Sequence, residues 1–521
     1  MNLSAPARLL LRRHVVAARR YAVSGGAERV QRDVLDNLLG RLVHCEYGRN
    51  AGLHPGMPYE EFMQRTPVTR YEDIRAHVMR MLAGERDVLW PGLCRRYAQS
   101  SGTSGGKSKY IPVTDDSLRE NHFAGTRRVM AHYLANVPHS HVFGGRSFIL
   151  GGSFANELPP EASAPGAKVG DLSAHLIEAI PRVADWFRFP ARPVALMEDW
   201  CRKLPLLQEL SGACPDLVSL SGVPSWFLGV IKGVLEQAGT DSMADVWPRM
   251  EVFFHGGISF EPYRSQYEYY FRDLPGHHFI ENYNASEGFF ATQDTLDLRQ
   301  MLLLLDCGIF FEFIPLDKLD QPFPEGVRTA WTVEPGRIYA LAITAPNGLV
   351  RYLPGDTVKI ESTEPLRITI AGRTQSFINA FGEEVMVYNT DAALVAACRR
   401  TGAHAANYTA GPVYADGGHK GRHRWLIEWD KEPDVPVDRF AEILDSELQA
   451  VNSDYQAKRT GGLFLDCLSV QTAPRGMFDR WLASTGKLGG QRKVPRLTNS
   501  PDLIDHMTEI IDNIPPEKHQ I

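Results

Sequence analysis

The sequence predicts an α/β protein with a large N-terminal domain of α/β layers and a smaller α+β C-terminal domain. Short apolar runs, each closely followed by a polar or glycine-containing turn, alternate with longer helical segments over the first part of the chain. This alternation is typical of strands and helices packed in layers. Strand patterns then dominate, and helix-strand alternation returns after Gly372. We therefore expect a β-subdomain inside the large domain and a separate domain after it.

The N-terminal region predicts two helices. Residues 31–43 carry valine and leucine at helical spacing, which predicts a helix packed on the body. The chain has no acidic residue before Glu28, and its arginines lie among apolar residues. This pattern is compatible with a transit peptide or a membrane-surface helix. We expect instead a helix that packs on the body through its apolar side, formed by Leu9, Leu10, Val15 and Val16.

Apolar runs predict the strands of the large domain at residues 148–150, 217–220, 251–254 and 278–280. Residues 225–237, between two of these runs, predict a helix. Residues 301–305 form the longest apolar stretch, which Asp306 interrupts before residues 308–311. Such a stretch is too short to span a bilayer, so it predicts buried strands.

The strand-rich part and the C-terminal part follow in order. The first predicts strands at residues 336–344, 350–353, 357–361 and 366–370, separated by turns at Asn347-Gly348 and Pro354-Gly355. The second predicts a helix at 390–400 ended by Gly402, a strand at 424–428 and a helix at 437–451. The glycine-rich stretches 410–421 and 486–490 predict mobile loops. We predict domains at residues 1–373, with the β-rich part at about 306–373, and at 374–521.

Composition excludes several classes of function. The chain has 521 residues and a formal net charge of −6, with no stripe of lysine and arginine interleaved with aromatic residues, so nucleic acid is not an expected partner. Its 7 cysteines are scattered and never spaced as Cys-x-x-Cys, which argues against disulfides and against a zinc site. We expect a cytoplasmic protein with no stable membrane insertion.

Residues 100–109 consist entirely of glycines, hydroxyl side chains and lysines, which is a composition suited to holding phosphate. Glycines let backbone N–H groups approach an anion, hydroxyls donate hydrogen bonds, and lysine supplies positive charge. Only three residues separate Gly102 from Gly106, one fewer than a P-loop requires. A plain Gly/Ser linker is the alternative, but linkers normally lack lysine. We expect a looser loop that closes over a triphosphate.

This loop resembles that of the adenylate-forming enzymes, and within them that of the Gretchen Hagen family of acyl-acid amido synthetases, in a bacterial-type form. The resemblance covers nearly the whole chain, because further blocks of the sequence are similar to family motifs in the same order. These blocks are residues 45–49, 67–74, 254–257, 283–290, 352–356 and 490–496.

The resemblance implies a small-molecule ligase that uses ATP and Mg²⁺. It implies that Lys107 or Lys109 adds positive charge beside the β- and γ-phosphates. It implies that these phosphates are held by the loop residues Ser100, Ser101, Gly102, Thr103, Ser104 and Gly105. It also implies that Glu287 binds Mg²⁺, that Lys493 enters with a mobile C-terminal domain to neutralise charge at the α-phosphate, and that Lys487 is the competing lysine.

The nucleotide itself is assigned further residues by the same resemblance. Gly256 and Gly257 approach the adenine, Tyr283 or a neighbouring aromatic residue stacks on it, Ser286 touches phosphate, and Asp356 accepts the ribose hydroxyls. Arg373 marks the hinge, although Thr374 follows it where the family usually has an acidic residue. The expected reaction activates a carboxylic acid as its acyl-adenylate and passes the acyl group to an amino acid.

Several alternatives remain open from the residues themselves. The acceptor could be coenzyme A, or the chain could bind ATP or AMP without catalysis. Residues 223–227 could line an acyl pocket, but aromatic residues at helical spacing are more often core. Two histidine pairs lack convincing ligand spacing, and we interpret them as loop histidines: His139 with His141, and His419 with His423.

Overall fold

The computed structural model describes residues 2–19, 23, 25–100, 109–155, 158–160, 162–374, 377–378, 383, 385–413, 421–459, 465–484, 494–498 and 501–512. The chain divides into two compact units. The larger is formed mainly by Met1–Phe260 and Gln266–Ile370, and the smaller mainly by Ala371–Leu488 and Arg492–Ile521, with Glu261–Ser265 grouped with the smaller one.

Helices and strands alternate through the first part of the chain, as the sequence predicts. The helices there are α1 (Ser4–Ala18), α2 (Gly26–Leu42), α3 (Glu46–Asn50), α4 (Tyr59–Arg65), α5 (Tyr71–Leu82), α6 (Phe123–Asn136), α7 (Leu172–Ala179), α8 (Arg192–Ala195), α9 (Trp200–Gly212), α10 (Pro224–Ala238) and α11 (Glu261–Tyr270). Short helical turns of other types lie at Ser117–His122, which is π-helical, and at Arg182–Phe187, Met243–Asp245 and Leu316–Lys318.

The strands of this part of the chain are β1 (Arg96–Ser100), β2 (Lys109–Pro112), β3 (Arg146–Ile149), β4 (Lys168–Gly170), β5 (Arg188–Phe189), β6 (Leu217–Gly222), β7 (Val252–Gly256), β8 (His278–Ala285), β9 (Gly288–Thr292), β10 (Met301–Leu303), β11 (Phe310–Ile314), β12 (Arg328–Thr329), β13 (Ile338–Thr344), β14 (Asp356–Thr363) and β15 (Leu366–Arg373). Twelve of them form one sheet in the order β12-β11-β13-β14-β15-β10-β9-β8-β7-β6-β3-β5, and β2-β1-β4 form a second.

The large sheet has a parallel block and an antiparallel block. Strands β5, β3, β6, β7 and β8 run parallel to their neighbours, whereas β9 pairs antiparallel with β8. The strand-rich part of the sequence continues this same sheet through β10 to β15. Because parallel strands end at one edge, the carboxyl ends of β6, β7 and β8 lie side by side there, where α/β proteins place their ligands.

A buried ion pair ties helix α4 to the strand-rich part. Arg351 Nε lies 3.0 Å from both oxygens of Glu312 on β11, and both side chains are fully buried. The Arg351 guanidinium also donates to the carbonyl of Thr66 at 2.7 Å, and Tyr59 Oη donates to Glu312 at 2.8 Å. A buried charge of this kind is tolerated only when it is paired and hydrogen-bonded.

The predicted strand at residues 350–353 is wrong. Arg351 has a φ of +45°, in the left-handed region, and the segment makes only isolated bridges through Tyr352, to Ile343 and to Thr69. A non-glycine residue in this region interrupts an extended strand and is held there by its surroundings. The segment therefore forms a bent connection, fixed on both sides, that leads from β13 to Asp356 at the start of β14.

Helix α1 forms as expected but packs through a different face. Leu9 and Leu10 are 74% and 73% exposed and Val16 is also exposed, so the predicted apolar contact side is wrong. The side that faces helix α6 carries Arg8, whose guanidinium donates to the carbonyls of Leu134 and Val137. Ala7, Leu11 and Ala18 supply the apolar contacts of that side. Local apolar spacing could not reveal these contacts, because α6 lies more than a hundred residues away in the sequence.

The smaller unit has its own sheet and core. Its helices and longer strands are α12 (Val387–Thr401), β18 (His404–Val413), β19 (Arg422–Lys431), α13 (Val437–Val451), α14 (Ser453–Arg459), β20 (Ser469–Ala473), α15 (Met477–Ser484) and α16 (Asp502–Asp512), and the short strands β16 (Phe377–Ile378) and β17 (Val385–Met386) precede them. The sheet order is β18-β19-β20. Residues 410–413 belong to β18, so that part of the predicted mobile loop is wrong.

The structure bears on how the sequence was interpreted at one histidine and at the cysteines. His423 lies on β19, fully buried, with Nε2 2.9 Å from a Glu383 oxygen, so it is not a loop histidine. Six cysteines are free thiols, namely Cys45, Cys94, Cys214, Cys307, Cys398 and Cys467. Among the helices of the described ranges, none is long and apolar enough to cross a membrane.

Buried neutral histidines make the larger unit sensitive to acid. Burial lowers the pKa of His122 and of His175 to about 4, and that of His277 to about 3. Unfolded histidine titrates near pH 6.5, so the unfolded chain binds more protons than the folded chain between pH 6.5 and about 4. Stability is therefore complete above pH 6.5 and falls as the pH drops through this window.

We expect His122 alone to contribute on the order of 3 kcal/mol to that loss. Urea unfolding of the wild type and His122→Asn at about pH 7 and about pH 4.5 measures it, since the variant should lose part of the pH dependence. The matched control is His54→Asn, which removes an exposed imidazole. An identical pH dependence of wild type and His122→Asn would contradict the expectation.

Candidate active site

The tip of the β8–β9 hairpin carries the acidic residue that the sequence singled out. Glu287 follows Ser286 in the turn between the two strands and is 8% exposed. This burial distinguishes Glu287 from a solvated surface carboxylate. Gly288 opens β9 beneath it, where an added Cβ would lie 2.5 Å from the Ile309 side chain. The hairpin tip therefore packs directly on the core.

Asn121 fixes the strand that leaves this tip. Its side-chain amide donates to the carbonyls of Phe289 and Cys307 at 3.0 and 2.9 Å, and its oxygen accepts the Phe289 backbone N–H at 2.6 Å. Asn121 lies in the π-helical turn Ser117–His122 and is buried. A buried amide that satisfies three backbone bonds holds β9 in one position.

Two further polar side chains hold the tip from other directions. His122 Nδ1 lies 3.3 Å from the side-chain oxygen of Asn284 on β8. Asn347 is buried and its amide donates to the backbone carbonyl of Glu287 at 3.3 Å. Asn347 stands in the Asn347-Gly348 turn, where Gly348 has a φ of +88°. Three segments that are distant in the sequence therefore meet around Glu287.

The structure brings Tyr283 and Asp356 together. The Tyr283 hydroxyl donates to Asp356 Oδ2 at 2.6 Å. Tyr283 is 5% exposed, and its ring packs edge-to-face on Phe290 at 4.8 Å between centroids. Asp356 opens β14 directly after the bent connection that Arg351 anchors. The hydrogen bond fixes the orientation of the carboxylate, a group that accepts hydrogen bonds from hydroxyls.

The predicted glycine pair lies at the carboxyl end of β7. An added Cβ at Gly256 would come within 2.2 Å of the Asn282 carbonyl on β8, so close strand packing already explains this glycine. Gly257 follows with a φ of +85°, a conformation that favours glycine. This edge is the one where β8 also ends, two residues before Glu287.

Strands β1 and β2 bracket the predicted phosphate loop. Ser100 closes β1 and pairs in register with Lys109, the first residue of β2. Lys109 Nζ lies 5.9 Å from the centre of the Tyr71 ring, and Tyr71 Oη accepts the Tyr110 backbone N–H at 2.9 Å. The loop residues and the two late lysines lie outside the described residues: Ser101, Gly102, Thr103, Ser104, Gly105, Lys107, Lys487 and Lys493.

The predicted hinge residue, Arg373, and the residues after Lys493 belong to the smaller unit. Arg373 ends β15. Arg496 stacks on Tyr408 at 4.5 Å from the ring centre and donates to Asn407 Oδ1 at 2.6 Å. The Arg496 carbonyl accepts the Ala410 N–H at 2.9 Å. The segment that follows Lys493 is therefore tied to β18.

Lys203 is a buried lysine that no sequence pattern indicated. Lys203 Nζ donates to the carbonyls of Gly151 and Ala195, both at 2.7 Å, and burial lowers its pKa to about 8. Lys203 thereby holds the glycine turn that follows β3.

In the segment 223–227, which could line an acyl pocket, Phe227 is fully buried between Phe148 and Phe253, so it belongs to the core.

Three domain models of one protein family match this chain. The GH3 family N-terminal domain matches residues 19–200, the GH3 family central domain residues 302–373, and the GH3 family C-terminal domain residues 388–502. The chain belongs to the GH3 family. The resemblance to this family is confirmed, whereas the bacterial-type form stays a prediction. The central GH3 domain contains Glu312, Arg351 and Asp356.

Individual GH3 relatives match at low identity over most of their length. A probable indole-3-acetic acid-amido synthetase, GH3.1 of Oryza sativa subsp. japonica, is 22% identical over 93% of this chain and 89% of its own. A jasmonoyl–L-amino acid synthetase, GH3.5 of the same organism, is 25% identical over 64% of this chain and 68% of its own.

Solved structures share the fold. The AtGH3.15 acyl acid amido synthetase in complex with 2,4-DB has a TM-score of 0.76 at 17% identity, covering 96% of each chain. A 2-hydroxyisobutyryl-CoA ligase in the postadenylation state has a TM-score of 0.57 at 13% identity, covering 95% of this chain and 94% of that one. The predicted α/β fold with a large and a smaller domain is confirmed.

Proposed function

We propose that this GH3 protein is an ATP-dependent acyl-acid amido synthetase. It activates a carboxylic acid as an acyl-adenylate and transfers the acyl group to the amine of an amino acid. The observation that carries the proposal is the 2.6 Å hydrogen bond between Tyr283 and Asp356, because it joins two separate family blocks beside the Glu287 hairpin. Membership of the family and the names of its relatives support the same reaction.

The described residues suit the nucleotide end of this reaction. Asp356, oriented by Tyr283, accepts the ribose hydroxyls. Tyr283 is too buried to offer a full ring face to adenine, so we assign it to holding Asp356. Gly257 and Ser286 border the nucleotide, and residues 100–105 with Lys107 contact its phosphates.

Glu287 is the proposed magnesium ligand. Mg²⁺ prefers oxygen ligands and is usually held by one or two carboxylates together with phosphates and waters. A single carboxylate on a tip fixed by Asn347 fits that requirement. In the described part of the chain, no three His, Cys, Asp or Glu residues cluster as a metal site of their own, which suits an ion that arrives with the triphosphate. When bound, the ion neutralises phosphate charge.

The bonds change in two steps. A carboxylate oxygen of the acid bonds to the α-phosphorus of ATP while the bond to pyrophosphate breaks. The amine then bonds to the acyl carbon, AMP leaves with the electron pair of the broken C–O bond, and the amine loses a proton. Lys493 neutralises charge in the first step. Between the two steps the smaller domain rotates about the segment near Arg373. The six free thiols named above support a reducing, cytoplasmic location.

Product analysis tests the proposal. Enzyme, ATP and a panel of carboxylic acids are incubated with amino acids or with coenzyme A, and the products are weighed by mass spectrometry. We expect amides and AMP. Thioesters alone would identify an acyl-CoA ligase, and ATP binding without any product would identify a non-catalytic nucleotide-binding protein.

Lys493→Ala should lower adenylate formation about a hundredfold while ATP binding persists.

A further inference from the structure

The outer face of helix α1 combines exposed leucines with exposed arginines. Leu9 and Leu10 are 74% and 73% exposed, and Val16 is 49% exposed. Arg12 and Arg13 are exposed as well, and they follow Leu9 by three and four residues. Residues at these spacings are neighbours on a helix surface. Leu9, Leu10, Arg12, Arg13 and Val16 therefore form one basic and apolar patch, the α1 patch.

The opposite face of α1 holds the helix in place, so this patch is fixed outward. Arg8 donates to the carbonyls of Leu134 and Val137 at 2.9 and 3.3 Å, and the backbone N–H of Leu3 donates to Phe143 at 3.1 Å. Ala18 is buried in the main core at the other end of the helix. The leucines consequently stay exposed because the helix is anchored by its other side, not because it is loosely attached.

Charge around the patch is strongly one-sided. The first 27 residues contain five arginines and no acidic residue, although the whole chain carries a net charge of −6. Such an asymmetry attracts the N-terminal side to an anionic surface while the remainder of the chain is repelled by it.

We propose that the α1 patch docks this protein on an anionic lipid surface. The arginines contact lipid phosphates, and the leucines and Val16 enter the boundary between headgroups and acyl chains, as in helices that lie in the membrane interface. A nucleic acid offers the same phosphates but no apolar layer for the leucines, so lipid fits both halves of the patch. The proposal does not depend on the acyl-transfer reaction.

Vesicle flotation with the full-length protein tests this docking. We expect the protein to float with phosphatidylcholine vesicles that contain about one-third phosphatidylglycerol and to stay behind with phosphatidylcholine alone. Raising the salt to about 1 M, where the Debye length falls to about 3 Å, should release most of it. Failure to float with the anionic vesicles would overturn the proposal, as would duplex DNA competing for the protein at equal phosphate concentration.

Paired variants separate the two halves of the patch. Leu9→Ser with Leu10→Ser, and separately Arg12→Gln with Arg13→Gln, should each weaken vesicle binding at least about tenfold. The matched controls are Leu298→Ser and Arg86→Gln, which alter an exposed leucine and an exposed arginine elsewhere. The urea unfolding midpoint should be unchanged in all of them, which confirms folding. Vesicle binding by either pair at the wild-type level would overturn the proposal.

Discussion

Glu287→Gln is expected to lower the rate of acyl-adenylate formation on the order of 10³-fold without unfolding the protein. Glutamine keeps the shape of the buried side chain, and the hydrogen bond from Asn347 to the backbone carbonyl of Glu287 does not depend on that side chain. The variant loses the negative charge that would hold Mg²⁺ against the phosphates. ATP–pyrophosphate exchange over a series of Mg²⁺ concentrations measures the effect.

Two features distinguish this expectation from general damage. The Mg²⁺ concentration needed for half-maximal exchange should rise in Glu287→Gln, while its urea unfolding midpoint stays near that of the wild type. Glu364→Gln is the matched control, because Glu364 is an exposed glutamate in the connection between β14 and β15. Wild-type exchange by Glu287→Gln at ordinary Mg²⁺ would remove Glu287 from the proposed magnesium site.

Arg351→Met should destabilise the larger unit by about 3–5 kcal/mol. The methionine leaves the fully buried Glu312 carboxylate without its cation, and the Thr66 carbonyl without a donor. Tyr59 still donates to Glu312, but one neutral donor does not compensate a buried charge. Urea unfolding measures the loss, and adenylate formation should also fall because this residue supports the connection to Asp356.

The double variant Arg351→Met with Glu312→Gln identifies the cause. Removing the buried charge as well should restore a large part of the lost stability, whereas simple loss of packing would not be restored. Arg439→Met is the surface control, since it breaks an exposed pair with Glu442 and should change stability by less than about 1 kcal/mol. A loss in Arg351→Met as small as in this control would show that the ion pair is not structural.

Elements with local signals could be predicted from the sequence. The predicted helix at 437–451 coincides with α13 (Val437–Val451), and the one at 225–237 lies within α10 (Pro224–Ala238). Gly239 and Gly402 end α10 and α12 at φ values of +67° and +65°. Glycine adopts this left-handed conformation at low cost, which is why it is common at helix C-termini. Helical period and terminal glycine are properties of a few neighbouring residues, which a sequence displays directly.

Features that depend on distant partners could not be predicted. The carbonyls that Asn121 binds belong to residues 168 and 186 positions further along the chain. The bend at Arg351 depends on Glu312 and on Thr69, and an apolar-polar pattern gives no sign of either. The same limit explains the error over the contact face of α1. The resemblance to family motifs indicated Tyr283 and Asp356 as separate site residues. The hydrogen bond between them is visible only in the structure.

The burial of the Glu287 side chain has a consequence for how tightly a divalent ion can be captured. A flexible glutamate that becomes immobilised gives up roughly 1.5–2 kcal/mol of rotamer entropy. At 8% exposure this side chain has already lost most of that freedom during folding. Binding of the proposed Mg²⁺ would consequently restrict it little further, whereas a carboxylate on a solvent-exposed hairpin would have to be ordered anew in every catalytic cycle.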